Sequence, residues 1–345
     1  MKIKECKKCI NNEINPSIHI EKNGVCNICN NYEKKFNKKI LNDEIEFIKN
    51  YISKEKIDCL VGLSGGKDST AMLKGVLDLG FHPMAFSFQG GYNNLTQEAI
   101  NKIKNITKKI NIKYEVIDVR KYVSNIDKIS FKKMADIYDR VDNNNITKEE
   151  FRKIYSEGRK YYSVKDNIIF PFIRPCQICR KIVIKAYYEE AISKGVKIVF
   201  VGINEWASLS SGYYSAIRKL KPYKDKPEIL IVHLPFLLQT KYEDIIPILE
   251  SMKCKEFVLE TKVETGGNSC LLAKACEKRA KEMLGFHLDS ARLSREITVG
   301  FIKKEIAKKA LEHGERDFEI SVRKVLENAK ILNQQGEENG VFKII

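Results

Sequence analysis

The segment Ser64-Gly65-Gly66-Lys67-Asp68-Ser69 stands between an apolar run, Ile57–Leu63, and a stretch with helical spacing, 69–80. This is the feature that most restricts the fold. An apolar run of that length ending in glycines reads as a buried strand, and the strand–turn–helix that follows is a phosphate cradle. Glycines let backbone N–H groups approach an anion closely, and the helix N-terminus presents partial positive charge. The hydroxyls of Ser64 and Ser69 can donate to phosphate oxygens, and Lys67 supplies a point charge. Asp68 does not suit a phosphate; it suits Mg²⁺ or an orienting role. The spacing matches neither G-x-x-x-x-G-K-[ST] nor G-x-G-x-x-G.

The stretch after the loop repeats the same alternation. Met84–Phe88 and Tyr114–Val119 read as strands, with a helix at 96–110 between them carrying Ile100, Ile103, Ile106 and Ile110. Further strands are predicted at 197–201 and 229–234, and helices at 32–54, from Cys176 to about 194, at 242–251 and through most of 271–333. A short strand is expected at 256–260. The β-α-β-α-β order specifies an α/β fold with a parallel sheet and crossover helices. Residues 120–170, with the Asp142–Asn145 loop inside them, read as an insertion or lid.

The six residues at 64–69 resemble the SGGKDS fingerprint of the PP-loop (N-type ATP pyrophosphatase) family, over roughly residues 55–265. The resemblance implies a doubly wound, Rossmann-like parallel sheet with ATP at the carboxyl ends of the strands. It implies cleavage of ATP between the α and β phosphates, giving pyrophosphate and an adenylated substrate. It places Ser64, Gly65, Gly66, Lys67, Asp68 and Ser69 on the phosphates, with Lys67 and Asp68 catalytic. Phe88, within Phe86–Gln89, is expected near the adenine and ribose, and Gly202, in Gly202-Ile203-Asn204-Glu205, across the same crevice.

Cysteine spacing adds two groups. Cys6-x-x-Cys9, sixteen residues, then Cys26-x-x-Cys29 fits a structural Cys₄ zinc ribbon, whose metal supplies folding energy that so short a segment lacks. The wording around it (Asn23-Gly24-Val25-Cys26-Asn27-Ile28-Cys29-Asn30) resembles the start of N-acetyl sugar amidotransferases, and zinc ribbons also precede the loop in tRNA thiolation enzymes. The second group, Pro175-Cys176-Gln177-Ile178-Cys179-Arg180, opens a helix, where a cysteine beside basic residues favours the thiolate form. Cys270 follows about ninety residues later, after Gly266-Gly267-Asn268-Ser269. This spacing resembles the two-thiouridine type of tRNA thiolation enzyme, in which three cysteines hold a 4Fe-4S cluster with one iron left open. That resemblance assigns Cys176, Cys179 and Cys270 to an iron–sulfur cluster. Iron-free persulfide chemistry, a second zinc site using Cys276, and inert cysteines remain open beside it. The chain departs from the compact thiolation enzymes in a longer stretch before Cys176 and in lacking a second, C-terminal ribbon.

Three segments are thereby expected: a zinc ribbon at 1–32, a PP-loop domain at 33–265 and a C-terminal helical region at 266–345. The activity expected first is an ATP-dependent sulfurtransferase acting on tRNA or a small-molecule carbonyl, with a sulfur donor protein or sulfide as partner. The alternative is an N-acetyl sugar amidotransferase fed ammonia by a glutaminase subunit; a non-catalytic nucleotide-binding module is the third reading. A net charge of +16 favours a polyanionic partner, although lysines are spread through the whole chain. No run approaches a membrane span and the N-terminus lacks a signal peptide, so a cytoplasmic protein is expected, and a homodimer is left open. Cys59 and Cys254 lie in apolar segments and read as core. His82, His233 and His287 read as structural or solvated, Trp206 as core, and Arg292 and Arg295 as a solvated helix face.

Overall fold

Strand formation begins where the apolar run at 57–63 predicts it. The computed structural model describes residues 3–53, 57–90, 95–161, 169–222, 225–254, 263, 265, 270–313 and 318–332. In chain order its elements are α1 (Asn27–Lys35), α2 (Lys38–Lys49), β1 (Cys59–Gly62), α3 (Lys67–Asp78), β2 (Pro83–Gln89), α4 (Gln97–Lys109) and β3 (Tyr114–Asp118). Then come α5 (Asn125–Asp142), α6 (Lys148–Tyr161), α7 (Pro175–Ser193), β4 (Ile198–Val201), β5 (Ser208–Ser210), β6 (Tyr213–Ser215), β7 (Ile217–Leu220) and β8 (Ile229–His233). The chain continues through α8 (Leu234–Leu237), α9 (Ile245–Ser251), α10 (Leu271–Leu284), α11 (Ser290–Thr298), α12 (Lys304–His313) and α13 (Val322–Asn328).

The main sheet has the order β3-β2-β1-β4-β8-β7, parallel except for the β7–β8 pair at one edge. Its central strands are buried on both faces, as continuous apolar runs in parallel sheets are. From β1 the chain winds outward through β2 and β3, then returns to lay β4 on the other side of β1. The strand order therefore reverses between β1 and β4, and a crevice opens at their carboxyl ends.

Helices cover both faces. Leu73 and Val76 of α3, Ile103 and Ile106 of α4 and Leu249 of α9 share one core with Val61, Ile198 and Phe200. Tyr188 and Ala191 of α7 pack with Leu60, Val199 and Ile231 on the opposite face. A further core lies away from the sheet. Phe131 and Tyr138 of α5, Phe151 of α6, Ile178 of α7, Leu272 of α10 and Leu326 of α13 are buried together in it. Much of the segment at 120–170 is thus packed helix, sharing a core with the C-terminal helices.

Three differences from the sequence reading have local causes. The helix expected over 32–54 is two helices, because Asn37 is extended and its side chain accepts from Lys39 N at 3.0 Å, starting a new helix. The three-residue strands β5 and β6 form a separate hairpin that the polar, Ser- and Tyr-rich sequence hides. The strand expected at 256–260 lies outside the described residues, as does the Gly266–Ser269 loop.

Candidate active site and metal centre

The phosphate loop sits at the carboxyl end of β1 and holds its own shape. Ser69 Oγ accepts from Ser64 N at 3.1 Å and donates to Gly66 O at 3.1 Å; Thr70 Oγ1 donates to Gly66 O at the same distance. Gly65 has φ +79°, and a Cβ there would stand 2.7 Å from Ala99 Cβ, so only glycine fits between the loop and α4. Across the crevice, the loop after β4 abuts the first turn of α3: a Cβ on Gly202 would lie 3.5 Å from Ser69 Cα. Lys67 Nζ is 3.6 Å from Asp68 Oδ1 and 5.4 Å from the ring centroid of Tyr242. Asp68 Oδ1 and Asn204 Oδ1 are both buried without a hydrogen-bond partner among the described residues.

Phe88 is half-buried at the end of β2, against the ring of Tyr187 at 5.3 Å and that of Phe86 at 5.0 Å. Phe86 itself is core, 1% exposed, and cannot line a ligand surface. Ser87 donates to Leu63 O at 2.6 Å and so ties β2 to the start of the loop.

The three residues of the second cysteine group differ in burial. Cys176 is exposed, while Cys179 and Cys270 are half-buried against the core that contains Cys276. Cys270 begins α10, its Sγ accepting from Ala273 N at 3.5 Å. Burial pushes its thiol up to about 11, with the charge of Cys176 adding to the effect. Cys276 is fully buried and its thiol is raised well above the ordinary value for the same first reason, burial. Among the described residues, only the N-terminal cysteines meet as ligands of a single ion. Thiolates bound to different irons of one cluster stand further apart than those sharing one ion, so this geometry leaves a cluster at Cys176, Cys179 and Cys270 open.

That N-terminal group is compact. The Sγ atoms of Cys6, Cys9, Cys26 and Cys29 all lie within 4.8 Å of one another, and all four residues are buried. Two short bridges, Glu5 to Asn12 and Ile20 to Cys26, shape the turns that present them. Cys26 N donates to Cys6 Sγ at 3.2 Å, and Asn11 Nδ2 approaches Cys26 Sγ at 3.8 Å. Four thiolates with backbone and amide donors around them suit one tetrahedral, thiophilic ion.

Helix α11 connects these regions and corrects the reading of its arginines. Arg174, just before the Cys176 helix, contacts Asp289 Oδ1 at 3.2 Å. Arg292 donates to both carboxylate oxygens of Asp289 (2.6 Å at the shortest), and it reaches Glu296 Oε1 at 2.7 Å. Arg295 pairs with Glu205 in the loop after β4. Both arginines are partly buried and held in ion pairs. Asp289, Arg292 and Glu296 share the face three and four residues apart that packs inward, and the acidic partners at that spacing were the available signal. Burial alone would raise the Asp289 carboxyl, but Arg292 and Arg174 hold it well below the usual range.

His233 and His287 are structural. His233 Nδ1 lies 2.7 Å from Glu205 O, and burial drives its pKa down to about 3. His287 accepts from Asp289 N at 3.0 Å and burial lowers it to about 4. His82 is exposed beside Asp58. Trp206 joins Tyr32 and Tyr214 in an aromatic stack, and Cys59 and Cys254 are buried.

Residues 58–165 match the family model described as "Queuosine biosynthesis protein QueC". This stretch runs from β1 through α6 and contains the phosphate loop, so the PP-loop resemblance has a family match behind it. The chain is 23% identical over 287 residues to the uncharacterized protein MJ1599 of Methanocaldococcus jannaschii, covering 82% of this chain and 80% of that protein. Among solved structures, the U34-tRNA thiolase NcsA from Methanococcus maripaludis, with its 4Fe-4S cluster, aligns over 97% of this chain and 100% of its own. Its identity is 18% and its TM-score 0.35, too loose a likeness to carry conclusions about this chain.

Proposed function

We propose that this chain is an adenylating enzyme that cleaves ATP at the loop Ser64–Ser69 and then transfers sulfur to the activated carbonyl. The observation that carries the reading is the place of the loop. It lies at the carboxyl end of β1, where the sheet order reverses, facing the β4 loop. The family match over residues 58–165 supports the ATP-dependent half. In this reading Ser64, Ser69 and the N-terminus of α3 hold phosphate oxygens, and Lys67 neutralises charge as pyrophosphate leaves. The substrate carbonyl oxygen attacks the α-phosphorus, and sulfur then adds at the carbonyl carbon while AMP departs, leaving a thiocarbonyl. Phe88 and Gly202 border the nucleotide. Mg²⁺ accompanies ATP, with Asp68 as its ligand, and zinc fills the quartet of Cys6, Cys9, Cys26 and Cys29.

Cys176, Cys179 and Cys270 are the residues for sulfur. They would hold a 4Fe-4S cluster, which when bound supplies an open iron for sulfide. The substrate is a tRNA base or a small-molecule carbonyl compound, the net charge of +16 favouring tRNA. A sulfur donor protein or sulfide is the expected partner. In domain terms, a ribbon at 1–32 precedes a PP-loop body at 33–265 and a C-terminal helical region at 266–345, whose helices α10 and α13 pack on the helices of the 120–170 insertion. No helix among the described residues is long and apolar enough to cross a membrane.

A second reading has its own observation. Cys270 is half-buried against the apolar core that contains Cys276, a setting that suits a structural cysteine. In that case ammonia from a glutaminase subunit displaces AMP from an N-acetyl sugar. Iron and labile sulfide analysis of protein purified without oxygen separates the two. Iron and sulfide lost in Cys176→Ala and Cys270→Ala supports thiolation; metal confined to the N-terminal quartet supports amide transfer. Lys67→Ala should abolish formation of AMP and pyrophosphate under either reading, and turnover that persists in that variant overturns both.

A further inference from the structure

Asp68 and Asn204 come from separate elements, the first turn of α3 and the loop after β4, yet they line one cavity of about 130 Å³. Much of its wall is apolar, from Ala71, Met72, Leu234 and Pro235. Asn204 is only 7% exposed. Its Oδ1, like Asp68 Oδ1, is buried without a hydrogen-bond partner among the described residues. Buried oxygens left unpaired are costly, and two in one cavity call for a ligand that takes electron pairs from both. Lys67 Nζ makes an ion pair with Asp68 Oδ1 at 3.6 Å, beyond hydrogen-bond range. A carboxylate and an amide oxygen beside a phosphate cradle form a hard-oxygen set of the kind Mg²⁺ takes, with phosphates and water completing the shell.

We infer that Asp68 and Asn204 together form a divalent-cation site of the Mg²⁺ class, with Asn204 the second protein oxygen. The inference deepens the ATP reading above and rests on it for the role of the ion. Asn204 is brought there by the switch in strand order: β4 returns beside β1, so its outgoing loop meets the turn that carries Asp68.

Mn²⁺ is the probe, followed by loss of its free-ion electron paramagnetic resonance signal on titration into the full-length chain. Titrations are run with and without α,β-methylene ATP, which cannot be cleaved between its α and β phosphates. Asn204→Ala and Asp68→Asn are expected to weaken Mn²⁺ binding by about tenfold or more. Asn204→Asp, which keeps an oxygen in place, should bind as tightly as the parent or tighter. Equal titrations of the parent and Asn204→Ala overturn the site. Loss in both the Ala and Asp variants overturns the ligand role as well, since an oxygen then makes no difference. Asn204-dependent Mn²⁺ binding in a chain that takes no nucleotide keeps the cation site and removes the ATP reading.

Discussion

Cys29 Sγ lies 3.1 Å from Thr298 Oγ1, so the cysteine quartet touches the last turn of α11, the helix that brings Arg295 to Glu205. Ile297 packs against the apolar part of the ribbon, and Lys304 Nζ donates to Cys6 O at 2.7 Å. The ribbon is therefore a support for α11. Removing the zinc proposed for the quartet, by chelation or by Cys26→Ser, should lower the melting temperature and weaken nucleotide binding together, because metal binding would supply the folding energy of so short a segment. Differential scanning fluorimetry and nucleotide titration check this. Unchanged melting after the metal has been shown to leave would separate the ribbon from the site.

Asp289 holds two guanidinium groups, Arg174 before the cysteine helix and Arg292 on α11. Asp289→Asn leaves both cations facing a buried, neutral amide. Breaking a buried pair on one side costs about 3–5 kcal/mol. Arg174 and Arg292 keep some access to water, so the lower end of that range is expected. Urea denaturation reads the change in midpoint, and a shift under about 1 kcal/mol would show that the network is loosely held.

The phosphate loop, the strands around it and the N-terminal quartet were legible because each is local. Glycines and an apolar run define the loop, and C-x-x-C spacing defines the quartet. Asn204 was read only as part of a segment across the crevice, and its orphaned oxygen depends on contacts that no local pattern carries. Arg292 and Arg295 were misread because their partners, Asp289, Glu296 and Glu205, include one from a distant loop. The hairpin β5–β6 was missed because three-residue strands of Ser, Leu and Tyr lack a run long enough to show alternation. Phe86 was placed near the nucleotide by its position in β2; it shares a face with Phe88, but it lies deeper along the strand in the core, while Phe88 is half-buried at the strand's carboxyl end.

Gly65 gives a sharper test of the loop. Its φ of +79° is in the left-handed region, and a Cβ would stand 2.7 Å from Ala99 Cβ. Gly65→Ala adds the left-handed penalty, roughly 1–2 kcal/mol, to a clash that only a shift of the loop relieves. The expected result is a folded protein with slightly lower stability and little nucleotide affinity. Isothermal titration with the methylene analogue checks it, and parent-like affinity would show that the loop does not grip phosphate.

Acid should destabilise the fold in a defined window. Burial lowers His287 from 6.5 to about 4, and His233 from 6.5 to about 3. Each is neutral when folded but takes a proton when unfolded once the pH falls below 6.5. The unfolded state then binds more protons, so stability falls as pH falls. The loss starts near pH 6.5 and for His287 levels off near pH 4, where the folded form also protonates. For His287 alone it amounts to roughly 3 kcal/mol, and above pH 7 neither histidine contributes. Asp289 acts in the same direction only below its ordinary 3.8, because its folded carboxyl is held low. Urea midpoints measured from pH 8 to pH 4 should stay flat to about 6.5 and then decline. His287→Gln, whose side chain can still accept from Asp289 N, should flatten part of that decline. A slope unchanged in the variant would place the acid sensitivity elsewhere.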